Sequence, residues 1–306
     1  MNAAIIGAGS IGGLIDGPKS TNTASHAHAY SKNDFCSLTA ICEPDKNNQK
    51  EFLSRWGDVK VYEDSSKLLS DENIEILSIS TPTHLHVKNL KDALHVKKIT
   101  HILCEKPLVE TIEDLDTLKE LLLESDKKIL INLIRRYDPS FIKLASLIKK
   151  NSFGNALYFH GIFTKGLLHN GIHMLGILSH LLGSVSKIEP LHVRDNFSVE
   201  CKQAKGVIAC MKNIDYSLLE LEIIFENAKI EIKDKITIYK KTHSKLYEDY
   251  YTLEYQESLE NSLNNYASNS LSFLLNQNNS TCKEILKEHI KLHETIFKAS
   301  KNETSN

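Results

Sequence analysis

The rhythm of apolar and polar positions changes near residue 150. Before it, short apolar runs alternate with stretches of helical spacing. NAAIIGAGS (2–10), SLTAICEPD (37–45), DVKVY (58–62), IEILSIST (74–81), ITHILCEKP (99–107) and KKILINLIRR (127–136) read as strands. KNNQKEFLSRWG (46–57) and HLHVKNLKDALHVK (84–97) read as helices, the latter with Leu85, Leu90, Ala93 and Leu94 at helical spacing. Residues 111–124 predict another helix, opened by Thr111, with Glu113 and Asp114 in the first turn where the helix dipole favours carboxylates. Strands apolar on both faces and alternating with helices predict a parallel sheet covered on both sides.

Beyond residue 150, ALYFHGIF (156–163) predicts a strand and 167–182 a helix closed by Gly183. Strand-like runs then dominate: KIEPLHV, FSVECK, GVIACM, LLELEIIF, AKIEIKDKITIY and DYYTLEY. In LELEIIF and AKIEIKDKITI the apolar residues repeat every second position, with Glu226-Asn227-Ala228 as the hairpin turn between them. This predicts an antiparallel sheet with one face on the core. A last helix is expected at 281–299, followed by a fraying polar tail, KNETSN.

A chain of 306 residues is about twice a typical domain of ~150 residues. With 41% apolar and 25% charged residues it has the composition of a soluble globular protein. Lys plus Arg (37) nearly balance Asp plus Glu (39), which argues against non-specific nucleic-acid or membrane-surface partners. No apolar run approaches the ~18 residues of a membrane span. The first residues read as structure and not as a signal peptide. The cysteines at 36, 42, 104, 201, 210 and 282 form no CxxC pair, so reduced thiols in a cytoplasmic protein are expected and no metal site.

GAGSIG (7–12) follows the first apolar run and matches GxGxxG. Gly7 suits a tight turn, Gly9 a close approach of backbone to a pyrophosphate, and Gly12 close helix packing. Ser10 and Ile11 open the following helix, whose N-terminal amides face the anion. Glu43, at the end of the second strand, is placed to accept hydrogen bonds from the adenosine ribose. It would repel a 2′-phosphate, so NAD is expected over NADP, although Lys46 is close. Glu43 stands 31 residues beyond Gly12, where about 20 is usual. The excess, DGPKSTNTAS (16–25), reads as an inserted loop. It is expected to fold over the cofactor or border the substrate pocket, or else to be a plain surface loop.

Glu105-Lys106-Pro107 follows one strand, and STPTHLHV (80–87) ends another; ligands bind at such carboxyl ends in open α/β sheets. RRYDPSF (135–141) and GIHMLGILSHLLG (171–183) follow. In this order and spacing the chain resembles the Gfo/Idh/MocA oxidoreductases. The resemblance implies α/β plus α+β architecture: an N-terminal Rossmann doubly wound parallel sheet, then a domain of open, mostly antiparallel sheet covered by helices on one face. The expected domains are 1–125 and 126–306, with strand 127–136 leading into the second. It implies an NAD(P)-dependent enzyme acting on a secondary alcohol or ketone of a sugar, cyclitol or sugar nucleotide. It also implies a homodimer or homotetramer packed through the C-terminal sheet.

The resemblance makes Lys106 the group that contacts the reacting hydroxyl and moves its proton, with a cation stabilising the developing oxyanion. His173 aligns with the family histidine that faces nicotinamide. Glu105 orients the lysine or meets the nicotinamide ribose. Thr81, Pro82 and His86 lie where the family lines the nicotinamide. Arg136, with Tyr137, is expected to meet substrate or brace the domain junction, and Lys165 to bind an anionic group. The chain departs from the family at His169 and Gly176, where many members carry aspartates. His169 and His173, four apart, share a face. These departures keep two alternatives open: a redox-assisted lyase or glycosidase, and a non-catalytic NAD-binding regulator.

Overall fold

The computed structural model describes residues 1–303, apart from 72, 194, 247 and 248. Two compact units emerge: Met1–Tyr137 with Leu263–His293, and Asp138–Ser262 with the chain from Glu294 onward.

The first unit is built on a six-stranded parallel sheet of order β3-β2-β1-β4-β5-β6. Its strands are β1 (Asn2–Ile6), β2 (Ser37–Cys42), β3 (Lys60–Tyr62), β4 (Ile76–Ile79), β5 (His101–Cys104) and β6 (Lys128–Ile131). β4 and β5 are buried almost throughout, which requires near-continuous apolar sequence. Register places Ile6 beside both Cys42 and Ile79, Ile79 beside Cys104, and Cys104 beside Ile131. The strands therefore end in one row, and Gly7, Glu43, Ser80, Glu105 and Asn132 are the residues that follow it.

Helices α2 (Lys46–Trp56), α4 (His86–His95) and α5 (Ile112–Glu124) form where helical spacing predicted them. Asp45 caps α2, and the Thr111 hydroxyl caps α5 by accepting from the Asp114 amide. Short helices α1 (His26–Ser31) and α3 (Ser65–Asp71) complete the amino-terminal stretch.

Three expectations are corrected in this unit. Residue 125 is not a boundary, because β6 pairs in parallel with β5 as the sixth strand of the sheet. The chain also returns: α8 (Tyr266–Asn276) buries Ala267, Leu271 and Leu274 in the same core as Ile5, Ile41 and Tyr137. The helix expected after GAGSIG is only a five-residue π-type turn, Ser10–Leu14.

The second unit carries an eight-stranded sheet of order β14-β13-β12-β11-β7-β10-β9-β8, antiparallel except for the β7–β10 pair. Its strands are β7 (Ala156–Thr164), β8 (Val185–Pro190), β9 (Asn196–Cys201), β10 (Lys205–Met211), β11 (Leu219–Phe225), β12 (Ala228–Ile232), β13 (Ile236–His243) and β14 (Tyr251–Leu259). Phe159, Phe163, Ile208, Ile223, Ile230 and Ile238 are buried on one face, where α7 (Ile172–Leu182) packs beside α6 (Pro139–Lys149). Gly183 ends α7 at φ +82°, a conformation that favours glycine. AKIEIKDKITIY is not one strand: it folds back at Lys233-Asp234-Lys235 into β12 and β13, and even spacing between Ile232 and Ile236 keeps both on the same face. Asp138 caps α6 and also accepts from the amide and hydroxyl of Ser262, joining the two ends of the unit's main segment. Helix α9 (Asn279–Glu303) is longer than expected. The end of the KNETSN tail lies outside the described residues.

Candidate active site

The glycine turn is shaped by backbone packing. Gly7 has φ +92°, and a Cβ there would lie 2.7 Å from the Ser80 backbone. At Gly12 a Cβ would fall 2.1 Å from the Gly7 carbonyl oxygen. The adjacent Gly13 is a further requirement, since a Cβ there would overlap the Phe52 ring at 2.2 Å. Gly9 is different: the nearest atom to an added Cβ is the Asn48 amide nitrogen at 4.0 Å. Three glycines thus serve the fold, whereas Gly9 leaves space open on the ligand-binding edge. Ser10 is exposed and Ile11 half-buried at the start of the π-type turn, where the first amides have no partner within the turn.

Glu43 is buried at the end of β2. Its carboxylate accepts from the Ala8 amide at 2.9 Å and the Asp45 amide at 3.0 Å, tying the glycine turn to the start of α2. Each oxygen retains acceptor capacity for a ribose hydroxyl. Ser80 donates to the Gly7 carbonyl at 2.7 Å and fixes the turn from the other side. These features fit a dinucleotide: room for close approach at Gly9, with a carboxylate one strand away.

Glu105 is the best-supported polar side chain at this edge. His26 Nε2 lies 3.1 Å from one carboxylate oxygen, and Asn132 Nδ2 donates to the same oxygen at 2.6 Å. The other oxygen accepts from the Lys106 amide at 3.4 Å. Burial raises the carboxyl pKa, but the hydrogen bond and electrostatic attraction of His26, with the hydrogen bonds from Asn132 and the Lys106 amide, outweigh it and hold Glu105 below the usual carboxylate range. Lys106 is half-buried and joined to Pro107 by a cis peptide bond.

His86 is fully buried. Nδ1 faces the carbonyl oxygens of Pro107 and Leu108 at 3.0 and 3.2 Å, and Nε2 faces that of Thr81 at 3.0 Å. Burial lowers its pKa against the opposing effect of these carbonyls. Its ring joins the β4 and β5 edge loops, leaving both nitrogens engaged within the protein. Thr81 is half-buried and Pro82 exposed beside it. His293 of α9 supports the same loop, accepting from the Leu108 amide at 3.1 Å and donating through Nδ1 to the His289 carbonyl at 2.7 Å. Burial pushes its pKa down to about 4.

Arg136, expected to meet substrate or brace the domain junction, pairs with Glu288 at 2.8 Å with its side chain only 9% exposed. Tyr137 is buried and donates to the Ile131 carbonyl at 2.7 Å. In the second unit, Lys165 is exposed with φ +65° and precedes Gly166 at φ +80°. His169 is exposed on a π-type turn, Leu167–Gly171, that leads into α7, while His173 is half-buried on the first turn of the helix. His169 therefore precedes the α-helix proper. The sequence reading missed His26, Ser78 and Asn132. Ser78 and Asn132 had a signal: each interrupts an apolar run that ends at the ligand edge.

Among the described residues no cluster of metal-ligating side chains occurs, and no helix is long and apolar enough to cross a membrane. All six cysteines are buried and free of disulfides.

Known proteins resemble this chain in sequence and in fold. The model of the Gfo/Idh/MocA oxidoreductase family, described by its NAD-binding Rossmann fold, matches residues 1–133. An uncharacterized oxidoreductase of Schizosaccharomyces pombe is 28% identical over 207 residues, covering 56% of this chain and 56% of its own length. The myo-inositol 2-dehydrogenase of Thermotoga maritima is 27% identical over 154 residues, covering 50% of this chain and 42% of its own length. The chain spans about half the length of these curated relatives, and only 31% of a second S. pombe oxidoreductase. An NAD-binding oxidoreductase from Klebsiella pneumoniae superposes with a TM-score of 0.78 at 16% identity, covering 100% of this chain and 97% of that one. A levoglucosan dehydrogenase in complex with NADH and levoglucosan gives 0.74 at 15% identity, covering 99% and 98%. At such identities the structures show a shared fold. Residues 1–133, with their glycine turn and Glu-Lys-Pro edge, are similar to the NAD-binding Rossmann fold of the Gfo/Idh/MocA oxidoreductase family.

Proposed function

We propose that the chain is an NAD-dependent oxidoreductase acting on a secondary alcohol or ketone of a cyclitol or sugar. The observation that carries this reading is the row at the strand ends: the open space at Gly9, the Glu43 carboxylate and the Glu105-Lys106 turn share one sheet edge. The names of two relatives, myo-inositol 2-dehydrogenase and levoglucosan dehydrogenase, support a polyhydroxylated ring as substrate.

Bound nicotinamide would supply the hydride acceptor or donor. Gly9 lets the pyrophosphate approach the backbone, with Ser10 and Ile11 flanking it. Glu43 accepts from the adenosine ribose and disfavours a 2′-phosphate, which supports NAD over NADP. Thr81 and Pro82 line the nicotinamide side, while His86 braces their loop. Lys106 takes the alcohol proton during oxidation and returns it during reduction, and its cationic form stabilises the developing oxyanion. On the second unit, His173 and His169 are the candidates for substrate hydroxyls, and Lys165 for an anionic substituent. The exposed sheet face, bearing Tyr158 and Tyr255 at 43% and 63% exposure, supports a homodimer or homotetramer.

Purified protein incubated with NAD and a panel including myo-inositol and levoglucosan tests this reading. NADH formation on a panel member supports it. Product without net NADH indicates the redox-assisted class instead, and NADH binding without turnover on any member indicates a regulator.

A further inference from the structure

The hydrogen bonds around Glu105 continue inward as one chain. Glu105, when ionised, only accepts, so His26 Nε2 must donate to it. With His26 neutral, Nδ1 is then an acceptor, and the Ser78 hydroxyl at 3.0 Å supplies the donor. Ser78 in turn accepts from the Tyr30 hydroxyl at 2.8 Å. Burial pushes the Tyr30 phenol upward, so it keeps its proton. On the other side Asn132 donates to Glu105 while accepting from the buried Ser270 hydroxyl at 2.7 Å. One tautomer of His26 thus satisfies every partner, with all donors directed toward a single carboxylate. Ser78, His26, Tyr30, Asn132 and Ser270 are all buried.

The inserted loop delivers His26. Asp16 accepts from the amides of Ala24 and Ser25 at 2.7 and 3.0 Å, from the Ser25 hydroxyl, and from His28 Nδ1 at 3.0 Å. Ser25 then caps α1 by accepting from the His28 amide. The loop is closed by one carboxylate, and the helix restarts with His26 as its first residue. Its far side is anchored as well, since Thr23 exchanges hydrogen bonds with Asn265 and Ala267 at the start of α8.

We propose that His26, set by the inserted loop and fixed by Ser78 and Tyr30, is a positioning residue that holds the Glu105 carboxylate in the orientation used at the dinucleotide edge. The proposal rests on the oxidoreductase reading above. It gives the insertion a task distinct from covering the cofactor: restarting the helix at the residue that fixes Glu105.

The full-length protein, carrying isotope-labelled histidine, tests it in two arms. Nitrogen shifts measured without cofactor, assigned through His26→Gln, should show His26 protonated on Nε2, and Ser78→Ala should perturb that resonance. NADH titrations form the second arm. His26→Leu, which removes a donor to a charged acceptor, should weaken NADH about tenfold. His26→Gln, whose amide both donates and accepts, should restore affinity to within about twofold of wild type. The opposite tautomer, indifference to Ser78→Ala, unchanged NADH affinity in His26→Leu, or no rescue by His26→Gln would overturn the proposal. Wild-type protein that binds no NADH would refute the oxidoreductase reading instead, because the nitrogen shifts are read without it.

Discussion

Replacing Gly9 by alanine separates what the glycine turn does for the fold from what it does for a ligand. Gly9 has φ −76°, outside the left-handed region that favours glycine, and the added methyl meets nothing nearer than the Asn48 side chain at 4.0 Å. Stability should therefore stay within about 0.5 kcal/mol of wild type. The methyl instead occupies space that the pyrophosphate needs. Overpacking of that kind costs about 1–3 kcal/mol, equivalent to weakening NADH binding about five- to 150-fold. Gly12→Ala is the opposite case: its methyl would fall 2.1 Å from the Gly7 carbonyl oxygen, and backbone must shift to admit it. That variant should lose about 2 kcal/mol of stability or more. The single tryptophan, Trp56, donates to the Gly13 carbonyl at 2.7 Å, so its emission during urea unfolding reports on this unit. Fluorescence titration with NADH gives the affinity. Gly9→Ala that binds NADH like wild type, or that unfolds as early as Gly12→Ala, would refute the distinction between the two glycines.

Other predictions probe the supports of the site. Lys106→Ala should abolish turnover on any substrate found in the panel while NADH affinity stays within about threefold, as expected for a group acting on the alcohol proton. His293 titrates near pH 6.5 when unfolded and near 4 when folded, so its contribution is complete above 6.5 and is lost as pH falls toward 4. Acidifying from about pH 7 to about pH 5 should therefore remove about 2 kcal/mol through His293 alone. Urea midpoints should show that His293→Gln lacks this part of the slope, and identical slopes would contradict the assignment. Asp138→Ala should destabilise the second unit by about 2–4 kcal/mol, because it uncaps α6 and strands the buried Ser140 hydroxyl and the half-buried Ser262 hydroxyl. Circular dichroism during denaturation measures it.

The parallel sheet was legible because β1, β4, β5 and β6 are apolar on both faces, and the antiparallel sheet because LELEIIF alternates. The glycine turn was legible for a different reason: few residues other than glycine tolerate Gly7's φ or the closeness at Gly12. Less legible was anything created by distant packing. Helix α8 belongs to the first core only because the chain returns after a whole unit, and no local pattern records that. The turn at Lys233-Asp234-Lys235 was hidden because even spacing keeps isoleucines on one face across the fold-back. The pairing of Arg136 with Glu288, 152 positions later in the sequence, is likewise recorded in no local pattern. His26 was obscured by the insertion, since its relation to Glu105 exists only after Asp16 has closed the loop.

The central claim is that a dinucleotide lies along the row of strand ends with its nicotinamide beside Glu105 and Lys106. A crystal structure of the protein grown with NADH tests it most directly. The account predicts the pyrophosphate against Gly9, the adenosine ribose at Glu43 and the nicotinamide ring at the Glu105-Lys106 turn. Density for NADH elsewhere, or none along that edge at saturating NADH, would contradict it.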